Sequence, residues 1–297
     1  MAATVIDGKA IAAQMRAEFK EEVAQLVAQG SQPGLGVILV GDDPASRSYV
    51  TAKERACEKA GIYSDDNRLP CETSQEELLQ LIEKMNKDPK IHGILLQLPL
   101  PGHVNESTAL VAIDPDKDVD GFHPWTVGNM VIGEHTFLPC TPHGIVKLLE
   151  RNDVQTSGAH VVIVGRSKIV GVPIANMMLQ KKESGNATVT ICHTGTRDLA
   201  SFTRQADILI VAAGRRNTVT ADMVKEGVVV IDVGVNRIKD DNKKLGFRLV
   251  GDVDFEKVKE RASLITPVPG GVGPMTITML LHNTIESAKR KLMEDKR

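Results

Sequence analysis

The chain has 297 residues, 42% of them apolar, 25% charged and 3% aromatic, with 36 basic against 38 acidic side chains. Ordinary globular fractions exclude extensive disorder, and a net charge of −2 excludes a global pull toward nucleic acid or anionic membrane. No run approaches the ~18 apolar residues of a membrane span, and the length suits about two domains. The first residues carry charges at Asp7 and Lys9, where a signal peptide needs an apolar core. The four cysteines, Cys57, Cys71, Cys140 and Cys192, are scattered with no CxxC pair. They read as reduced thiols of a cytoplasmic protein rather than as staples or metal ligands.

Taken along the chain, residues 8–29 repeat apolar side chains at helical spacing (Ile11, Met15, Phe19, Val23, Leu26), with Gly30 as the stop. Gly34–Val40 is a short buried strand. Asp43-Pro44 then sets an N-cap and a proline at the first position of a helix running to about Ala60. A weaker strand ends near Leu69, a helix covers about Gln75–Asn86, and the apolar strand from Gly93 to Leu98 is halted by Pro99 and Pro101. Residues 114–142 are rich in Asp, Gly and Pro and read as irregular, with a domain boundary just after them. A helix restarts at Thr141-Pro142. Apolar strands follow at 160–164, 187–192, 207–213 and 227–233, whose starts lie 27, 20 and 20 residues apart. Strands alternating with helices predict a parallel α/β sheet, here of the doubly wound nucleotide-binding kind. A long helix over Pro274–Met293 ends the pattern.

The segment from His160 to Pro173 is a strand, a glycine turn and a helix start, a place where backbone N–H groups and the helix dipole receive phosphate. Its match to GxGxxG is partial: with Gly165 first, Ser167 and Val170 hold the other two positions, and any tight βα turn can use one glycine. The next strand ends in His193-Thr194 without the carboxylate that holds a ribose diol, and Arg166 sits in the turn, which favours a 2′-phosphate. A solvated turn arginine is the plainer reading of Arg166.

Tyr49 and Lys53 lie four apart on one helix face, where an aromatic ring beside an amine could stack a flat heterocycle and handle a proton. The alternative is an exposed pair beside Glu54 and Arg55. Gln97 is the one amide in an apolar strand and needs partners if buried. Asp118 and Asp120 are loop acids of the kind that usually cap turns, and they lack the further ligands of a metal site. Residues 265–276 pack three prolines and three glycines directly before the last helix, a stiff loop that lets a ligand approach backbone.

Six segments fall in order: Tyr49-Val-Thr-Ala-Lys53, Gln97-Leu-Pro-Leu100, Lys117-Asp-Val-Asp-Gly121, Pro139-Cys-Thr-Pro142, Gly165-Arg-Ser-Lys-Ile-Val-Gly171 and Pro267-Val-Pro-Gly-Gly-Val-Gly-Pro274. Together they resemble the bifunctional methylenetetrahydrofolate dehydrogenase/methenyltetrahydrofolate cyclohydrolase family along essentially the whole chain. The resemblance implies a catalytic lobe at residues 1–142 completed by 275–297, a Rossmann lobe at 143–274 carrying NADP, and folate in the cleft. It also implies a cytoplasmic homodimer working in one-carbon metabolism on tetrahydrofolate derivatives, with no metal.

By the same resemblance, Lys53 is the cyclohydrolase acid/base, Gln97 orients it, Tyr49 stacks on the folate, and Asp120 accepts hydrogen bonds from the pterin. Leu96, Leu98 and Pro269, Gly270, Gly271, Val272 and Gly273 line the substrate; Gly165, Arg166, Ser167, Thr194 and Val235 hold the cofactor. Thr194 stands where serine is expected in many members and keeps the hydroxyl. A dehydrogenase of small oxo or hydroxy acids would explain the strand series but leave Tyr49, Lys53, Gln97 and the Pro-Gly loop unused. A non-catalytic folate- or nucleotide-binding protein is the other competing class.

Overall fold

The structure is a computed structural model that describes residues 3–243 and 246–296. In chain order it runs β1 (Thr4–Val5), α1 (Gly8–Ala28), β2 (Gly34–Val40), α2 (Pro44–Ala60), β3 (Tyr63–Leu69), α3 (Gln75–Lys87), β4 (Gly93–Leu96), α4 (Glu106–Val111) and α5 (Pro124–Ile132). Then come α6 (Cys140–Glu150), β5 (His160–Val164), α7 (Gly171–Leu179), β6 (Thr188–Cys192), α8 (Leu199–Thr203), β7 (Ile208–Val211) and β8 (Val229–Asp232). β9 (Asn236–Lys239), β10 (Phe247–Val250), α9 (Phe255–Val258), β11 (Leu264–Ile265) and α10 (Val272–Asp295) complete the chain. Among the described residues, no helix is long and apolar enough to cross a membrane.

Contacts divide the chain into two compact units, one of Met1–Ala12 with Thr141–Thr276 and one of Ala13–Cys140 with Ile277–Arg297. The second holds a parallel sheet in the order β3-β2-β4. β2 is buried at every position, as expected for a central parallel strand covered on both faces. Ile38, Val40, Ile94 and Leu96 from its strands pack with Leu78, Ile82 and Met85 of α3. The Asp43 side chain accepts from the Ser46 amide at 2.8 Å and Pro44 opens α2, while Ser74 and Glu77 form a reciprocal capping box on α3.

The first unit holds six parallel strands in the order β1-β11-β8-β7-β5-β6, with an antiparallel β9–β10 hairpin beside them in sequence. From β5 the chain goes through α7 to β6 on one side, then returns through α8 to β7 on the other side of β5. This reversal makes the carboxyl ends of β5 and β7 the topological switch point, where doubly wound sheets bind ligands.

The division differs from the sequence expectation at the N-terminus. β1 pairs in parallel with β11, so residues up to Ala12 join the six-stranded unit instead of the lobe that contains Lys53. A two-residue strand leaves no hydrophobic period to read, and its partner lies some 260 residues later (Thr4 to Leu264). The stretch 114–142 is also more ordered than expected. His123 Nδ1 accepts from the Trp125 amide, Pro124 takes the first helical turn and α5 follows.

The last helix is built into the three-stranded unit from Ile277 onward. The buried Asn283 side chain donates to Val119 O at 2.8 Å and Leu138 O at 3.0 Å. Ser287 Oγ donates to His92 O at 2.6 Å and Asp116 O at 3.0 Å, and Lys289 pairs with Glu22. These bonds tie down the segment on either side of Asp120. Asn283→Ala strands two buried carbonyls, and we expect it to cost about 2 kcal/mol of unfolding free energy. A lowered urea midpoint at unchanged slope checks this; an unshifted midpoint would show that the helix is held by packing alone.

Candidate active site

In the three-stranded unit, α2, the end of β4 and the loop ahead of α5 bring four of the expected residues together. Lys53, on the buried face of α2, is only 5% exposed, so the reading of an exposed pair fails. Its Nζ donates to Gln97 Oε1 at 3.1 Å and lies 4.8 Å from the centroid of the Tyr49 ring. Gln97 stands just past the end of β4, and its own Nε2 donates to Leu98 O at 2.7 Å. That second bond fixes the amide's orientation, leaving Oε1 as the atom presented to the lysine.

Burial pushes the Lys53 amine below its ordinary value, and the negative charge of Asp120, together with the Cys140 and Cys57 groups, opposes part of the shift. Asp120 is moved in the opposite sense: desolvation raises its carboxyl, while Lys53 and a hydrogen bond from Cys140 lower it. The two groups thus converge toward the middle of the pH scale, which is what proton transfer near neutrality requires. Cys57 is pushed up to about 12 by burial, and Cys140 lies well above the ordinary thiol range for the same reason, so both stay protonated. Sequence reasoning missed Cys140 as a member of this cluster, although the Pro139-Cys-Thr-Pro142 segment carried it. Its thiol also reaches Val119 O at 3.4 Å.

The neighbouring acid, Asp118, has a different task. It is 1% exposed and accepts from the amides of His123 at 2.8 Å and Phe122 at 3.2 Å, closing the turn ahead of α5. Burial raises its carboxyl to about 6. Leu96 and Leu98 pack into or against the apolar cluster of this unit.

The remaining expected residues belong to the six-stranded unit. Gly165 follows β5 with φ +134°, and a Cβ there would lie 2.2 Å from Ala212 O, the carbonyl just past β7. Only glycine permits this approach of the two strand ends. Arg166 and Ser167 are exposed at the turn, and Ser167 Oγ accepts from the Val170 amide at 3.1 Å as the chain enters α7. At the end of β6, His193 N donates to Thr196 Oγ1 and Gly195 N to His193 Nδ1, forming a tight turn that leaves Thr194 exposed and carries no acid at the strand end. Val235 is 64% exposed beyond β8.

A strand–turn–helix at the switch point, an exposed arginine and a second strand without a carboxylate fit a dinucleotide with a 2′-phosphate. The turn Ala213-Gly214 after β7 belongs to the same edge and was missed, because two small residues after a strand carry no pattern. In the Pro-Gly loop, Pro269 and Gly273 are exposed, Gly270 has φ +111°, and Gly271 and Val272 are buried.

Comparison with known proteins gives two matching family models. "Tetrahydrofolate dehydrogenase/cyclohydrolase, catalytic domain" matches residues 6–120, and "Tetrahydrofolate dehydrogenase/cyclohydrolase, NAD(P)-binding domain" matches residues 139–292. The "Bifunctional protein FolD" of Syntrophus aciditrophicus is 60% identical over 291 residues, covering 97% of this chain and 98% of the relative. Among solved structures, the bifunctional FolD of Campylobacter jejuni has a TM-score of 0.92 at 51% identity, covering 98% of this chain and 100% of the other. The FolD of Trypanosoma brucei, solved with NADP and an inhibitor, has a TM-score of 0.93 at 39% identity, covering 98% and 99%. On matches of this extent, the chain belongs to the tetrahydrofolate dehydrogenase/cyclohydrolase family.

Proposed function

We propose that this protein oxidises 5,10-methylene-tetrahydrofolate to the 5,10-methenyl cation with NADP⁺ and hydrolyses that cation to 10-formyl-tetrahydrofolate. The observation that carries the reading is the buried Lys53 amine held between Gln97, Tyr49 and Asp120. NADP⁺ supplies the hydride acceptor of the first reaction. That step produces a resonance-stabilised cation and needs no protein base, so the chain's contribution to it is positioning.

The second reaction needs proton handling. Water adds to the one-carbon bridge and loses one proton; the resulting hydroxyl then gives up its own proton to become the formyl C=O as the ring carbon–nitrogen bond breaks and that nitrogen gains a proton, so one proton is released overall. Lys53 can take the first proton and return it, because burial lowers its amine toward the working pH. Gln97 keeps Nζ aimed through the 3.1 Å bond, and Asp120 holds the protonated form within reach. Tyr49 offers a ring face for the folate, and Asp120 has a carboxylate oxygen for the pterin donors. Leu96, Leu98 and the main chain of Pro269–Gly273 line the substrate. Gly165, Arg166, Ser167, Thr194 and Val235 hold the cofactor, with Arg166 against the 2′-phosphate. The protein acts in the cytoplasm as a homodimer. The open edge strand β6 of the six-stranded sheet, with Ile191 39% exposed, supports an association through that unit.

Three outcomes follow. Lys53→Met should lower cyclohydrolase turnover at least ~100-fold, followed by loss of methenyl absorbance, while NADP⁺ binding is retained; unchanged turnover would remove Lys53 from the reaction. The charge of Asp120 raises the Lys53 pKa, so Asp120→Asn should lower it and shift the acid limb of cyclohydrolase kcat to lower pH. A limb that stays in place or moves up in pH would contradict the pairing. Arg166→Ala removes a charge-assisted contact, which is about 10- to 100-fold in affinity for NADP⁺ with little change for NAD⁺. Equal losses for the two would show that Arg166 does not read the 2′-phosphate.

A further inference from the structure

Two buried carboxylates in the six-stranded unit have no part in the chemistry above. Asp232 ends β8 and is 2% exposed; Asp252, just past β10, is fully buried. Neither forms an ion pair among the described residues. They are satisfied instead by amides drawn from several separate segments. Asp252 Oδ2 accepts from Ala213 N and Gly214 N, each at 2.7 Å, and its Oδ1 accepts from Asn236 Nδ2 at 2.8 Å. Asp232 Oδ1 accepts from Gly234 N at 3.0 Å and from Asp252 N at 2.9 Å, and its Oδ2 accepts from Val253 N at 3.0 Å. The Asp232 amide in turn donates to Thr266 Oγ1 at 2.7 Å.

Two glycines are shaped around the pair. A Cβ on Gly234 would lie 2.1 Å from the Asp252 carboxyl carbon, and one on Gly251 would lie 1.8 Å from Asp232 Oδ2. The chain has therefore given up side chains at both positions to let these acids in. Burial lifts the Asp232 carboxyl to about 6, opposed by the amides of Asp252, Val253 and Gly234. It remains largely ionised at neutral pH and able to accept all three.

The segments so tied are the ones that follow β7, β8, β10 and β11. Ala213-Gly214 turns its amides inward onto Asp252, and both residues are exposed at the β5/β7 switch point, next to Ala212 whose carbonyl meets Gly165. Val235 lies between Gly234, bonded to Asp232, and Asn236, bonded to Asp252. Resting on the NADP-binding reading above, we propose that Asp252, seated by Asp232, is a positioning residue that holds the Ala213-Gly214 turn and the Val235 segment in register for the cofactor.

The test uses the full-length protein. Asp252→Asn keeps the volume but turns an amide NH₂ toward either the two backbone amides or Asn236, a donor-to-donor conflict in each case. We expect the NADP⁺ Kd by titration calorimetry, and the NADP⁺ KM, to rise about 10- to 100-fold, a loss of the size that misplaced binding groups cause. The dehydrogenase kcat at saturating NADP⁺ and the cofactor-independent cyclohydrolase kcat should stay within about twofold, a split that a loss of folded protein would not give.

An unchanged NADP⁺ Kd in Asp252→Asn overturns the proposal. Should that variant fail to fold, as judged by lost cyclohydrolase activity, the half-buried Asn236→Ala removes the donor to Oδ1 together with its bond to Gly251 O, and leaves both backbone donors to Oδ2 in place. A Kd raised about threefold or more then supports the positioning role, as expected when side-chain hydrogen bonds to this segment are lost, and an unchanged Kd overturns it. Wild-type protein that binds no NADP⁺ would overturn the functional reading and this inference with it. Wild-type binding matched by both variants overturns the inference alone.

Discussion

Keeping an amine out of water is the constraint around which the three-stranded unit is organised. Lys53 sits on a helix face that its sequence would allow to be solvated, yet it is buried, and an unpaired buried ammonium would cost several kcal/mol. Each partner meets part of that demand: Gln97 offers an oxygen, Asp120 an opposing charge, Tyr49 a π face. The partners must themselves be held, which is why Gln97 is locked by Leu98 O and why the segment around Asp120 is bonded to the final helix through Asn283 and Ser287. A lysine with a lowered pKa is thus the outcome of a chain of fixed groups rather than of burial alone.

The six-stranded unit solves a different problem with the opposite charge. Its binding edge is made of short loops after parallel strands, each of which leaves backbone amides without a sheet partner. Asp232 and Asp252 absorb these amides internally. Backbone donors are individually weak, but as a set they make two unpaired acids tolerable without a cation. No acid stands at the end of β6, where a ribose diol would otherwise be gripped, and the turn after β5 carries the exposed Arg166.

Much of this was legible in the residues. The inner strands β5, β7 and β8 of the nucleotide-binding unit, with the edge strand β6, declared themselves at regular spacing, the inner three as apolar runs because buried parallel strands need no polar face. Asp43-Pro44 announced α2, and the i,i+4 relation of Tyr49 and Lys53 placed them on one face. What stayed hidden lacked a local signal. β1 and β11 are two residues each: β1 pairs only with β11, across almost the whole chain, and β11 lies between β1 and β8. The β9–β10 hairpin contains Asn236, Arg237, Lys239 and Arg248, charges and amides that weaken any alternating pattern. Asp232 and Asp252 read as a strand end and a loop acid; their meaning comes from amides 2 to 39 residues distant. Cys140 likewise gained significance only from what surrounds it.

The bonds from Ser287 to His92 and from Lys289 to Glu22 span 195 and 267 residues. During synthesis, the unit that holds β2, β3 and β4 is therefore begun early and waits for a segment made more than a hundred residues later. The strands and helices around Lys53 leave the ribosome early, but the helix that finishes their core arrives only after residue 276. Between those moments, residues 141–276 of the other unit are made. Contacts at such separation slow folding and leave apolar surface uncovered while they wait. The nascent three-stranded unit thus faces a long interval in which its interior is exposed, so the demand for chaperones falls on the half of the molecule that carries the lysine.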